Sequence, residues 1–129
     1  MNILLTGSSG FLGRTIIKTL VQKNHIITLS RNSGEYKVCL EKEIPAFKET
    51  YDLVVHVAGK AHFVPKTEFE KKQFYDVNVK GTLNVLKGLE VFGVPKQFVF
   101  ISSVSVYGQE FGIGINEEHK LEAKDAYGL

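Results

Sequence analysis

The chain has a single cysteine, Cys39, among its 129 residues. One thiol rules out an internal disulfide and suits a reducing compartment. No apolar run approaches the ~20 residues that a membrane span needs. The amino-terminal run stops at Leu5, too early for a secretory signal. An excess of one charge is also missing: the formal net charge is +2, and the lysines are scattered without a dense basic run. That pattern argues against nucleic acid or a membrane surface as a partner. Internal repeats, low-complexity segments and dividing linkers are absent too, so one domain is expected. An apolar fraction of 43% can supply its core. These absences together describe a soluble cytoplasmic domain.

What is present is organised around residues 3–14. Ile3, Leu4 and Leu5 read as a buried strand that runs into the turn Thr6-Gly7-Ser8-Ser9-Gly10-Phe11-Leu12-Gly13. Leu12, Ile16, Ile17, Leu20 and Val21 then recur at helical spacing. The glycines fall as Gly7-x-x-Gly10-x-x-Gly13. Gly7 can take a tight turn, Gly10 lets a diphosphate approach the backbone, and Gly13 lets the helix lie close on the strand. Amide groups that open a helix have no internal partner and point at a bound anion. A glycine-rich turn of this kind can also bind nothing, so the rest of the chain has to decide. A P-loop is excluded, because no Gly-Lys-Ser/Thr follows to reach a γ-phosphate or its magnesium.

Further along, His25 to Leu29 reads as a second strand, broken by Asn32-Ser33-Gly34. Tyr36 to Leu40 reads as a weaker third. Residues 41–50 are charged, contain Pro45 and read as a connection. Leu53 to Val57 is a fourth strand, continuous enough to be buried on both faces. Thr67-x-x-Glu70 is a capping-box signature that starts a long helix ending near Phe92, where Gly93 and Pro95 stop it. That helix is apolar on two faces, one with Phe74, Val77 and Val85, the other with Val79, Leu83 and Leu86. The sheet and some second body should cover them. Phe98 to Ile101 is a fifth strand, ending at Ser102-Ser103, and residues 109–125 read as a surface loop. Strands alternating with helices imply a parallel sheet with right-handed crossovers, an α/β fold. Ligands of such sheets bind beyond the carboxyl ends of the strands. Gly7, Arg31, Ala58-Gly59 and Ser103 all sit at such ends.

At these positions the sequence resembles the extended short-chain dehydrogenase/reductase family, the NAD(P)-dependent epimerases and dehydratases of nucleotide sugars. Thr6-Gly7-x-x-Gly10-x-x-Gly13 is similar to the family's cofactor fingerprint, and His56-Val57-Ala58-Gly59 to the segment after its fourth strand. Asn78, within Val77-Asn78-Val79-Lys80-Gly81-Thr82, resembles its helix asparagine. Ser102-Ser103-Val104-Ser105-Val106-Tyr107-Gly108 resembles the turn that delivers the catalytic serine, which by register is Ser103. Tyr127-Gly128-Leu129 resembles the start of the family's Tyr-x-x-x-Lys. The resemblance implies a Rossmann-like doubly wound sheet of about five strands in order 3-2-1-4-5. It further implies catalytic roles for Ser103 and Tyr127. The implied cofactor contacts are Gly7, Ser8, Ser9, Gly10, Phe11, Leu12, Gly13, Ser30, Arg31, Val57, Ala58, Gly59, Lys60, Asn78 and Ser102.

In the family's reaction a hydride moves between a sugar carbon and the nicotinamide while the tyrosine takes or returns a hydroxyl proton. A lysine four residues on shares the tyrosine's helix face and favours its phenolate. That lysine would fall beyond Leu129, and Tyr36, Tyr51, Tyr75 and Tyr107 are followed at the same spacing by Leu40, Val55, Val79 and Phe111. The expectation is therefore the amino-terminal part of a longer enzyme, itself inactive. Its exposed edge strand or long helix could support self-association. Leu29-Ser30-Arg31-Asn32 offers no carboxylate for a ribose and a guanidinium for a 2′-phosphate, which favours NADP over NAD. His56 and His62 have no third ligand spaced near them and read as strand and loop histidines, not metal ligands. Tyr107 reads as packing or substrate-side lining. The alternative function is a non-catalytic NADP-binding redox sensor of the same fold, in which Ser103 and Tyr127 would be superfluous.

Overall fold

The computed structural model describes residues 1–61 and 63–128. His62 and Leu129, both part of the reading above, lie outside the described residues. Five parallel strands form one sheet in the order β3-β2-β1-β4-β5, the order expected. They are β1 (Asn2–Thr6), β2 (His25–Ser30), β3 (Tyr36–Lys37), β4 (Leu53–His56) and β5 (Gln97–Phe100). The helices are α1 (Phe11–Leu20), α2 (Glu68–Phe74) and α3 (Gly81–Phe92).

Alternation along β1 divides the core. Leu4 joins Ile27, Leu29, Leu40, Phe47, Tyr51 and Val54 with Val85 and Leu89 of α3 on one face. Ile3, Leu5 and Val55 point to the other, where Ile16, Ile17 and Leu20 of α1 pack on them. Because every strand is parallel, Thr6, His56 and Phe100 lie in register, and all carboxyl ends open on one edge. That edge is where the candidate site residues stand.

Two strands are shorter than the sequence suggests. After Val38 N–H bonds Ser30 O, the amides of Lys42 and Glu43 turn back onto Cys39 O. Cys39 and Leu40 therefore leave the sheet, and Leu40 enters the core as a loop residue whose carbonyl accepts Asn84 Nδ2 at 2.7 Å. β4 ends at His56, because the next amide, Val57 N–H, bonds the Thr6 hydroxyl instead of the ladder.

The long helix starts at the predicted capping box: Glu70 N–H bonds Thr67 Oγ1, and the Glu70 carboxylate accepts Thr67 N–H. It runs to Phe92, but not as uniform α-helix. Tyr75–Lys80 form a π-helical turn, in which Gly81 N–H reaches back to Asp76 O. On one apolar face Phe74 and Val85 are buried and Val77 is half-buried; on the other Val79 is half-buried and Leu83 and Leu86 are exposed.

Candidate cofactor and active site

The glycine turn is shaped by what its glycines lack. Gly7 has φ +68°, and a Cβ there would lie 2.6 Å from Ala58 N. A Cβ on Gly13 would lie 2.4 Å from Gly7 O. Both positions are fixed by the protein's own backbone. Gly10 is different: among the described residues a Cβ there would meet one atom within 4 Å, Gly7 O at 3.3 Å, and is otherwise open. Gly10 is the N-cap of α1, with no side-chain cap and no acidic residue in the first turn. The first intrahelical bond is Arg14 N–H to Gly10 O, which leaves the amides of Phe11, Leu12 and Gly13 ahead of it. Such a terminus fits a diphosphate. Ser9, Phe11 and Leu12 are exposed beside it. Ser8 is buried, and its amide and hydroxyl both donate to Leu29 O, so it ties the turn to β2.

At the end of β2, Ser30 is buried and its hydroxyl closes a small turn, meeting Ser33 O at 2.8 Å and accepting Ser33 N–H at 3.2 Å. Arg31 stands exposed on that turn and has no hydrogen bond or ion pair among the described residues. The nearby carboxylate of Glu35 is engaged elsewhere. It accepts the backbone N–H of Thr28 at 2.9 Å and the Thr28 hydroxyl, which holds its pKa below the usual carboxylate value.

Across the crevice, the β4 loop is held by side chains. Thr6 Oγ1 accepts Val57 N–H and Ala58 N–H, both at 3.2 Å, and lies 2.7 Å from His56 Nδ1. His56 Nε2 lies 2.9 Å from Thr82 Oγ1, which donates to Asn78 O at 2.6 Å. Asn78 Oδ1 accepts Lys60 N–H at 2.6 Å, and Asn78 Nδ2 donates to Lys60 O at 3.0 Å. Asn78 thus clamps the loop backbone, from the π-helical turn. Gly59 passes over this clamp, where a Cβ would lie 3.4 Å from Asn78 Oδ1. The Lys60 ammonium sits 5.1 Å from the Phe63 ring centre and 5.9 Å from that of Phe74.

Beyond β5, Ser102 is exposed and Ser103 half-buried. Ser103 caps a 3-10 turn over Val104–Tyr107, accepting Ser105 N–H at 3.2 Å and meeting Ser105 Oγ at 3.2 Å. The tail folds back on this turn. Ala123 N–H bonds Val106 O, and Gly128 packs so closely that a Cβ would lie 2.5 Å from Ser105 O. Asp125 accepts Gly128 N–H and Tyr127 N–H, closing a turn, and these bonds hold its carboxyl below the usual range. Tyr127 is thereby set beside the Ser103 turn, its ring edge-on to Phe74 at 6.1 Å. Tyr107 meets His119 edge-on at 6.0 Å, which is packing within the tail.

Sequence reasoning did not single out Thr82 or the linking role of His56. The i, i+4 pair Asn78 and Thr82 on a helix was a signal for side chain and backbone contact, but the π turn that aims them was not visible. The sequence profile described as the NAD dependent epimerase/dehydratase family matches residues 3–129. The chain is 34% identical to UDP-glucose 4-epimerase of Vibrio cholerae over 144 aligned positions, covering 99% of this chain and 43% of the relative. RMD from Pseudomonas aeruginosa, solved complexed with NADPH, is 28% identical with a TM-score of 0.78. The match covers 98% of this chain and 44% of that one. A short-chain dehydrogenase/reductase superfamily protein from Agrobacterium tumefaciens, with bound NAD, is 27% identical. Its TM-score is 0.77, over 99% of this chain and 41% of that one. The chain thus spans less than half the length of each of these three relatives.

Proposed function

This chain belongs to the NAD-dependent epimerase/dehydratase family, and we propose that it is the cofactor-binding part of a cytoplasmic nucleotide-sugar epimerase, dehydratase or 4-ketoreductase. The supporting observation is the shared edge of the sheet: the open Gly10 turn and the paired Ser103 turn and Tyr127 segment stand beyond the ends of β1 and β5. Free amides at the start of α1 fit the diphosphate of a nicotinamide dinucleotide. When bound, that cofactor accepts or returns a hydride. Tyr127 would exchange the proton of the reacting sugar hydroxyl, and the Ser103 hydroxyl would bond the same oxygen as charge develops there. A free tyrosine has a pKa of ~10 and is a weak base at neutral pH. It needs a neighbouring cation, and no lysine lies four residues after any tyrosine that has such a position in the chain. The chain alone is therefore proposed to lack turnover, and a rate above a Tyr127→Phe control would overturn that point.

NADP is the proposed cofactor of choice. Arg31 has no hydrogen bond or ion pair among the described residues, and Glu35, an acidic residue on the same loop, is committed to Thr28. An exposed guanidinium at this strand end favours a 2′-phosphate. Titration calorimetry with NADPH and NADH tests the reading. NADPH should bind more tightly, and Arg31→Ala should lower its affinity about tenfold while leaving NADH nearly unchanged. Equal affinities in the unmodified chain would remove the preference, and no binding of either would remove the cofactor reading.

A further inference from the structure

His56 is 1% exposed, and it is flanked by the rings of Phe98 at 6.1 Å and Phe100 at 5.8 Å. Its hydrogen bonds fix where its proton sits. Thr6 Oγ1 already accepts two amides, so its one hydrogen goes to His56 Nδ1, which must be the bare nitrogen. Nε2 then carries the hydrogen and donates it to Thr82 Oγ1, whose own hydrogen goes to Asn78 O. Every donor in this chain of bonds has one acceptor, and its direction is unique.

We infer that His56 is a positioning residue, whose ring sets the spacing between the glycine turn and the Asn78 clamp and so orients the loop 57–60 toward the cofactor. The inference rests on the cofactor reading above. Both ends of the network finish on the same short piece of backbone. Thr6 holds the amides of Val57 and Ala58, and Asn78, itself tied to Thr82, holds both polar backbone groups of Lys60. The loop is therefore gripped at its start by Thr6, which the imidazole bonds directly, and at its end by Asn78, whose backbone carbonyl the imidazole reaches through Thr82. Its bonds run to the turn that would carry the diphosphate on one side and to the π-helical turn on the other. An apolar ring of the same size would fill the volume between Phe98 and Phe100 but would join nothing. A buried network rewards full satisfaction and penalises a single missing partner, so the arrangement is rigid.

The test uses Thr82→Val, which keeps the branched shape and removes the acceptor of His56 Nε2, and Thr82→Ser, which restores it. Two probes are titrated by calorimetry: NADPH, which spans the crevice, and 2′,5′-ADP, which occupies its adenosine end only. Exchange of the Lys60 amide hydrogen is followed by NMR in the same samples. Thr82→Val should weaken NADPH about tenfold, leave 2′,5′-ADP within about twofold and speed exchange at Lys60, with Thr82→Ser close to the unmodified chain. A lowered melting midpoint with unchanged NADPH affinity and unchanged Lys60 exchange would reduce the network to a stability element and overturn the inference. Equal weakening of both probes would overturn it as well, since that reports general loosening. If the unmodified chain binds neither probe, the cofactor reading fails separately. Lys60 exchange then decides the inference: faster in Thr82→Val and restored in Thr82→Ser upholds it, and no change overturns it.

Discussion

On the β1–α1 side of the crevice the backbone is held in place by missing atoms, and on the β4 side it is held by added ones. Gly7 and Gly13 allow three backbone segments to touch at distances that no Cβ permits. Thr6, His56, Thr82 and Asn78 tie the facing loop with directed hydrogen bonds. The two constructions fail differently. A steric wall has no partial form: an extra methyl displaces backbone. A polar wall depends on protonation and on each partner, so it can weaken by degrees and with pH.

Substitution in the steric wall should give the largest loss. Gly7→Ala places a side chain at φ +68° and drives its Cβ to 2.6 Å from Ala58 N. Left-handed backbone strain and overpacking act together, and the chain should lose ~3 kcal/mol of stability, measured by urea unfolding. A loss under ~1 kcal/mol would mean that the turn relaxes easily and that the two walls are alike.

The polar wall should show itself as a pH dependence. Burial lowers the His56 pKa from 6.5 to about 4. Between these values the unfolded chain binds a proton that the folded chain refuses. This contribution is therefore fully present above about pH 6.5 and is lost as the pH falls toward 4. The loss across the window should be on the order of 3 kcal/mol. Asp125 and Asp52, whose pKa values are lowered by amide hydrogen bonds and by Lys96 respectively, have the same sign but act further into acid. His56→Gln should start less stable at pH 7 and show a flatter profile between pH 6.5 and 4. Parallel profiles for the two proteins would place the pH dependence elsewhere.

The difference between the walls also explains what the sequence disclosed. Sterics at glycine leave a linear trace: three glycines at fixed spacing between an apolar run and a helical stripe point to the turn, and alternating elements to the parallel sheet. The capping box at Thr67 and Glu70 was legible for the same reason, since its partners are three residues apart. The network around His56 joins positions 6, 56, 78 and 82, and its geometry depends on a π turn that has no composition of its own. Thr82 was therefore given no role of its own. Tyr36 to Leu40 read as a strand because Val38 and Leu40 are apolar. The turn at Cys39, closed by the amides of Lys42 and Glu43, decided otherwise. Local pattern was enough to nominate Ser103 by register but not to see that it also caps its own turn.

The smallest stability effect and the sharpest contrast should come from Gly10. It lies between the two structural glycines in the same motif, yet its φ of −75° is open to any residue and its nearest Cβ contact is 3.3 Å. Gly10→Ala should cost only about 1 kcal/mol, from a poorer N-cap and a slight crowding of Gly7 O. The new methyl would nevertheless stand on the open side, where a diphosphate must approach the amides of α1. NADPH affinity should fall at least about tenfold, by calorimetry at a temperature where both proteins are fully folded. If Gly10→Ala binds NADPH as well as the unmodified chain, the diphosphate does not lie on this turn, and the glycine spacing is purely a device for packing a helix on a strand. If it instead unfolds the chain as Gly7→Ala should, Gly10 belongs to the steric wall, and the open side is not open.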